Sequence, residues 1–318
     1  MFGFYQPDKT MSVVDSKKMS DYTRKMWPTK VVKEGLSTLV VDAVAANSEH
    51  ARSEARRCIL GQSTLWADKR AMLSGLEDNT PLGHRQAVLE ILWTGIAFTN
   101  AYAIADQIAP VEPAIKARTD PWFEALKETI VTEFTPRPRD KKDQWLDAHA
   151  NHWLWAGASV GSIAIILQDR AAFDWSMNIL QTALDEAPED GSLPRELKRG
   201  QRSLHYQNFA MAAISTMVAM ADRNGVSLNA EQEAKLKAMA IFSADAYENP
   251  AAIEEMTGKK QEKRASMLTW AAPLSLHFAQ SDAALSKRLA ILASATGMTQ
   301  TNACALICLP AYLPNQQF

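Results

Sequence analysis

The chain is predicted to be all-α, and three observations lead there. Apolar residues recur at i, i+3, i+4 and i+7 through nearly every window after Pro28. No segment alternates with period two over a useful length. The breaks between windows carry Pro, Gly and Asn turn chemistry, as in Thr80-Pro81-Leu82-Gly83, Thr135-Pro136-Arg137-Pro138 and Asn224-Gly225.

Taken in order, the periodic windows are 31–47, 50–61, 85–108, 121–134 and 144–167. Then follow 170–187, 196–224, 230–247, 263–278 and 283–295. An acidic turn, 185–191, separates two of the longer ones. Helices of this length joined by short loops form antiparallel hairpins, and each hairpin needs neighbours to cover its apolar face. No fixed-period repeat signature is present, which argues against a regular solenoid. The expected architecture is an incomplete α/α toroid of helix hairpins around a deep cleft. Residues 1–30 are polar, Lys-rich and weakly periodic, so they are set apart as an N-terminal arm or lid, with 31–318 as one toroid domain.

Composition narrows the function. With 318 residues and 47% hydrophobic content, the chain can bury a full core. Thirty-four Lys and Arg against 36 Asp and Glu give a net charge of −2, which excludes any global attraction to nucleic acid or anionic lipid. A polyanion would have to be held by a local basic patch. Apolar runs such as 156–167 are too short to span a bilayer, so no membrane insertion is expected. Cys58, Cys304 and Cys308 form no zinc-like array and are expected to be small buried thiols. The segment Met1-Phe2-Gly3-Phe4-Tyr5 lacks the charged and apolar regions of a secretion signal.

The chemistry concentrates between 151 and 206. Asn151-His152 heads one apolar window, and Arg195-Glu196-Leu197-Lys198-Arg199-Gly200-Gln201-Arg202-Ser203-Leu204-His205-Tyr206 opens another. An amide, an imidazole, guanidiniums and a phenol together suit the removal of a proton from carbon beside a carboxylate. The C5 proton of a uronic acid is too weakly acidic while its neighbouring carboxylate is fully charged. An amide and an arginine, Asn151 and Arg199, quench that charge. A base and an acid, from His152 and Tyr206, take the proton and protonate the leaving O4. Arg199, Arg202 and Tyr206 are spaced to share one helix face, and Arg195 and Lys198 add positive charge at its start. Trp145, Trp153, Trp155 and Trp175 crowd this region, where an aromatic face can cover the apolar face of a pyranose or simply fill the core. The competing readings are a capped helix start for His152, a solvated basic turn, and a structural His205. No His, Asp or Glu group has metal-ligand spacing, so neither a metal nor a cofactor is implied.

Asn151-His152-Trp153-Leu154-Trp155-Ala156 resembles the Asn-Asn-His-Ser-Tyr-Trp-Ala motif of the alginate lyases of polysaccharide lyase family 5. Phe173-Asp174-Trp175 is similar to that family's Leu-Phe-Asp-Trp. The run Gly191 to Asn208 resembles its Gly-Phe-Leu-Pro-Asn-Glu-Leu-Lys-Arg-Arg-Gln-Arg-Ala-Leu-Ala-Tyr-His-Asn. The resemblance implies an α/α toroid, an acidic polysaccharide as partner, a monomer, a periplasmic or secreted location, and β-elimination without a metal. It gives Asn151 and Arg199 to carboxylate neutralisation, His152 to the base and Tyr206 to the acid. In a syn elimination Tyr206 alone could remove and return the proton. Trp153, Trp155, Arg195, Lys198, Arg202, Gln207 and Asn208 fall in the substrate-binding set. Tyr5 and Lys9 are candidates for the family's Ser-Lys-Tyr-Glu-Gly-Ser-Asp lid. Ala150 and Gln207 depart from the pattern, which has Asn and His there. The implied substrate is mannuronate-rich alginate, with glucuronan open because the two sugars share configuration at C4 and C5. Two other readings stand beside it: a toroid that binds acidic polysaccharide without turnover, and a glycoside hydrolase, which would need a carboxylate pair drawn from residues such as Asp147 and Glu196.

Overall fold

In the computed structural model, residues 4–6, 13–74, 81–135, 151–263 and 268–295 are described. Lys9, Trp145, Asp147, Ala150, Cys304 and Cys308 lie outside them. The described chain is helical, apart from one antiparallel bridge between Tyr5 and Val14. In order the helices are α1 (Ser16–Ala45), α2 (Glu49–Asp68), α3 (Pro81–Ile108), α4 (Pro113–Phe134), α5 (Asn151–Leu167) and α6 (Arg170–Asp185). They continue with α7 (Pro194–Leu197), α8 (Ser203–Arg223), α9 (Ala230–Glu248), α10 (Ala251–Thr257), α11 (Ala271–His277) and α12 (Ala283–Ser294). One apolar core runs from Leu36 on α1 to Leu292 on α12.

Several boundaries differ from the periodicity: α2 runs on to Asp68, α4 begins at Pro113 rather than 121, and α10 lies in no expected window. Helix α1 starts at Ser16, capped by the Asp15 carboxylate on the Lys18 amide at 3.0 Å, and runs through Pro28. Its first half buries only Met26 and Thr29, so the apolar repeat is too sparse to read. The window 196–224 is not one helix. Gly200 has φ +55°, which ends α7, and a 3₁₀ turn at Gly200–Arg202 leads into α8. Arg199 and Arg202 therefore sit on a bend, not on one helix face. Among the cysteines, Cys58 is exposed on α2, contrary to the expected buried thiol.

Helix α5 is the centre of the fold and is buried along most of its length. Its glycines allow close approach. A Cβ on Gly157 would lie 2.6 Å from Met217 Sδ on α8, and one on Gly161 would lie 2.5 Å from Ser176 Oγ on α6. The Ser176 hydroxyl donates to the Gly157 carbonyl at 2.7 Å across that contact. The Gly/Ser interruptions that look like weak hydrophobicity in the sequence are thus the packing surface of α5. Residues Gly83–Ile108 of α3 are long and apolar enough to cross a membrane, but the apolar window is 94% buried inside the protein.

A polar clamp closes α8, α9 and α11. His277 Nδ1 lies 2.9 Å from Asp222 Oδ2, and Nε2 lies 3.0 Å from Glu233 Oε2. Burial alone would depress this imidazole, but the hydrogen bonds and charges of Asp222 and Glu233 outweigh it and raise it to about 9. A folded value above the unfolded 6.5 means the stabilisation is complete below about pH 6.5 and is lost as pH climbs through 9. The partly exposed carboxylates screen the effect, leaving about 2 kcal/mol. Denaturant titrations at pH 6 and pH 10 should show that loss in the wild type and not in His277→Leu. Equal pH dependence in both would remove the clamp from the stability account.

Candidate active site

The site forms where the start of α5 meets the bend between α7 and α8. Asn151 is the first residue of α5 and is 3% exposed. Its backbone N–H donates to Glu196 Oε1 at 3.1 Å, and its Nδ2 donates to Glu196 Oε2 at 2.8 Å. Its Oδ1 has no protein partner among the described residues. Glu196 belongs to α7, and its carbonyl accepts from the Arg199 amide at 3.0 Å. The Arg199 guanidinium carbon then lies 3.5 Å from the centroid of the Tyr206 ring, stacked against it. A short chain of contacts thus links the amide, the guanidinium and the phenol.

His152 is half-buried beside Asn151. Burial, then the positive charges of Arg199 and Arg85, lower its pKa to about 4. It is a neutral imidazole at any ordinary pH, able to accept a proton or a hydrogen bond. Arg85, on the first turns of α3, was not signalled by the sequence because no local pattern links it to a residue on α5.

Tyr5 reaches the site from the N-terminal segment. Its hydroxyl is 2.6 Å from that of Tyr206, and Arg202 Nη1 donates to it at 2.5 Å. Burial, then the charge of and hydrogen bond to Tyr206, push Tyr5 well above the usual phenol range against the pull of Arg202 and Arg199. Tyr5 therefore keeps its proton. Its oxygen takes Arg202 Nη1 and shares one hydrogen bond with the Tyr206 hydroxyl, in which either can donate. The arm is seated by backbone bonds from Gln6 N to Val13 O and from Asp15 N to Phe4 O, at 2.9 and 2.8 Å. Phe4 packs on Tyr22 with ring centroids 5.0 Å apart, and Tyr22 donates to the buried Glu90, which also takes Lys33. This closed arrangement leaves Tyr206 only 7% exposed.

Other expected contacts fall differently. Gln207 is fully buried, its Oε1 accepting from Leu193 N and its Nε2 donating to Gly191 O and Ser243 Oγ. Asn208 is fully buried as well, bonded to Leu204 O and receiving Trp270 Nε1 at 2.6 Å. Both hold α8 in place and neither is offered to a ligand. They follow Tyr206 on a helix, so each turns a further 100° or so toward the core. Trp155 is mostly core, edge-on to Trp93 and packed on Phe209 at 5.2 Å, whereas Trp153 is half-buried. Arg195 pairs with Glu186 at 3.5 Å, and Lys198 is exposed. His205 stacks on Phe209 with planes 11° apart, beside Tyr206.

A helical toroid that gathers an amide, an imidazole, a guanidinium and a phenol is constituted as a polysaccharide lyase. The sequence profile described as Alginate lyase matches residues 15–253 of the 318, and the chain belongs to that family. An alginate lyase of Pseudomonas syringae pv. tomato is 26% identical over 271 residues, covering 83% of this chain and 67% of its own. One from Cobetia marina is 28% identical over 214 residues, 66% of this chain and 54% of its own. The chain thus spans about half to two thirds of the length of these relatives. Among solved structures, a His-to-Ala variant of alginate lyase A1-III complexed with tetrasaccharide superposes with a TM-score of 0.74 at 20% identity, over 97% of this chain and 82% of that one. Alginate lyase A1-III from Sphingomonas species A1 gives 0.67 at 23% identity, over 87% and 76%. These two likenesses establish the α/α toroid fold.

Proposed function

We propose that this protein cleaves 1,4-linked uronate polymers, with mannuronate-rich alginate as its main substrate, by β-elimination. The observation that supports the reading is the linked set Asn151–Glu196–Arg199–Tyr206, a short chain of contacts joining an amide, a guanidinium and a phenol. The substrate carboxylate is held by Asn151 and Arg199, so charge that develops toward C5 is spread onto donors already in position. Tyr206, as phenolate, removes the C5 proton. The electron pair forms the C4=C5 bond, the C4–O4 bond breaks, and O4 takes the proton back from Tyr206. His152, neutral and a weak base at about 4, suits a hydrogen-bonding role at the uronate better than abstraction of a carbon-bound proton. This favours the single-phenol route over His152 as base.

Tyr5 and Arg202 supply a donor to the Tyr206 oxygen, and the arm that carries Tyr5 moves aside to admit polymer and closes over it. Lys198 and Trp153 extend the contact surface. The protein acts as a monomer in the periplasm or outside the cell, where such polymers occur.

Each cleavage leaves a double bond conjugated with a carboxylate, so new ultraviolet absorbance should grow with time on poly-mannuronate and more slowly on glucuronan. A screen of alginate, poly-mannuronate, poly-guluronate, glucuronan and hyaluronan at several pH values checks this. No absorbance on any of them would overturn the activity; a preference for glucuronan would correct the substrate alone.

A further inference from the structure

Glu196 has no part in the elimination as written, yet it is a buried carboxylate bonded directly to Asn151. It is 3% exposed, and it spends both oxygens on one residue, Asn151, taking the backbone N–H and the side-chain amide. The first of these satisfies an otherwise open donor at the start of α5, 45 residues away in sequence. The second fixes the plane of the amide and uses one of its two amide hydrogens. Through its own carbonyl, Glu196 also receives the Arg199 amide, so a single residue sets the register between the two groups that quench the substrate carboxylate.

We propose that Glu196 is a positioning residue for the elimination, orienting the Asn151 amide toward the uronate carboxylate and fixing its placement relative to Arg199. The proposal rests on the lyase reading above. Burial raises the Glu196 carboxyl, opposed by its bond to Asn151 and by the charges of Arg199 and Arg195. Held by this single partner and those two cations, the carboxylate has no other hydrogen-bond partner among the described residues. A helix-start anchor alone would need only the oxygen on the backbone N–H; the second oxygen is spent on the side-chain amide.

The role acts through Asn151, and that gives it a signature distinct from stability. Glu196→Gln keeps the shape but offers a donor where an acceptor is needed, so one of the two bonds is lost. On poly-mannuronate, kcat should fall by about 10- to 100-fold while KM changes by less than about threefold, the order seen when a supporting hydrogen bond is removed from a reactive group. In a double-mutant cycle, Asn151→Ala with Glu196→Gln should be no slower than Asn151→Ala alone, within about twofold. Glu196→Asp, run through the same cycle with thermal unfolding in parallel, separates misfolding from mispositioning. Unchanged kcat in folded Glu196→Gln, or losses that multiply with those of Asn151→Ala, would overturn the proposal. Wild-type enzyme silent on every polyuronate would instead remove the lyase reading, an outcome seen before any variant is compared.

Discussion

Tyr206→Phe should abolish turnover of poly-mannuronate while leaving the fold and polymer binding largely intact. The substitution deletes one oxygen and nothing else from a ring that is already packed by Arg199, Phe209 and His205. Thermal stability is therefore expected to change little. The lost atom is the one assigned to carry the proton from C5 to O4, and a general acid–base group contributes about 10² to 10⁴ in rate. Because Tyr206 serves both transfers in the single-phenol route, the upper end of that range is expected in kcat, with KM within a few-fold. Binding of oligomannuronate, measured by calorimetry, should persist. Equal loss of binding and turnover would show that the phenol organises the site and does not act in the reaction.

Arg199→Ala is expected to have the second largest effect, about 10² to 10³ in kcat, the cost of removing one donor aimed at developing charge. Two things are lost at once: the guanidinium proposed to meet the substrate carboxylate and the cation 3.5 Å from the Tyr206 ring. Arg199→Lys should recover little of it. An ammonium lacks the planar fork that pairs with a carboxylate and cannot stack flat on the phenol. The removal also lifts one of the positive charges that depress His152, so the imidazole of the variant should titrate higher than the wild-type value of about 4. Resonances of His152 followed by NMR against pH report this directly, and an unmoved titration would separate Arg199 from the site.

Much of this arrangement was readable from the sequence, and the parts that were not share a cause. The all-α class follows from period and punctuation, which are local properties, and the helices found are close to those expected. That Asn151, Arg199 and Tyr206 come together in space follows the sequence expectation, because the motifs name their positions; the roles given to them and to His152 stay part of the proposal. The sequence offers Glu196 only as a candidate acid for sugar hydrolysis, because its partner is Asn151 and no spacing rule joins them. Arg85 escaped for the same reason, acting on His152 from another helix. Gln207 and Asn208 were drawn into the binding set by adjacency to Tyr206, whereas helix geometry turns them inward. The 196–224 window hid a break at Gly200, since one positive-φ residue leaves the apolar period on either side intact. Tyr5 is a lid candidate from the resemblance alone, and the fold supplies the contact with Tyr206 that sequence distance conceals.

Charge quenching at the uronate carboxylate is the step on which the rest depends, and it has a direct chemical test. Methyl-esterified oligomannuronate carries a substrate whose carboxyl is already neutral. Comparing kcat/KM for wild type and Arg199→Ala on the acid and on its ester isolates the contribution of that neutralisation. If Arg199 works by cancelling the charge, the defect of Arg199→Ala should shrink by at least about tenfold on the ester relative to the acid. A defect of the same size on both substrates would contradict it.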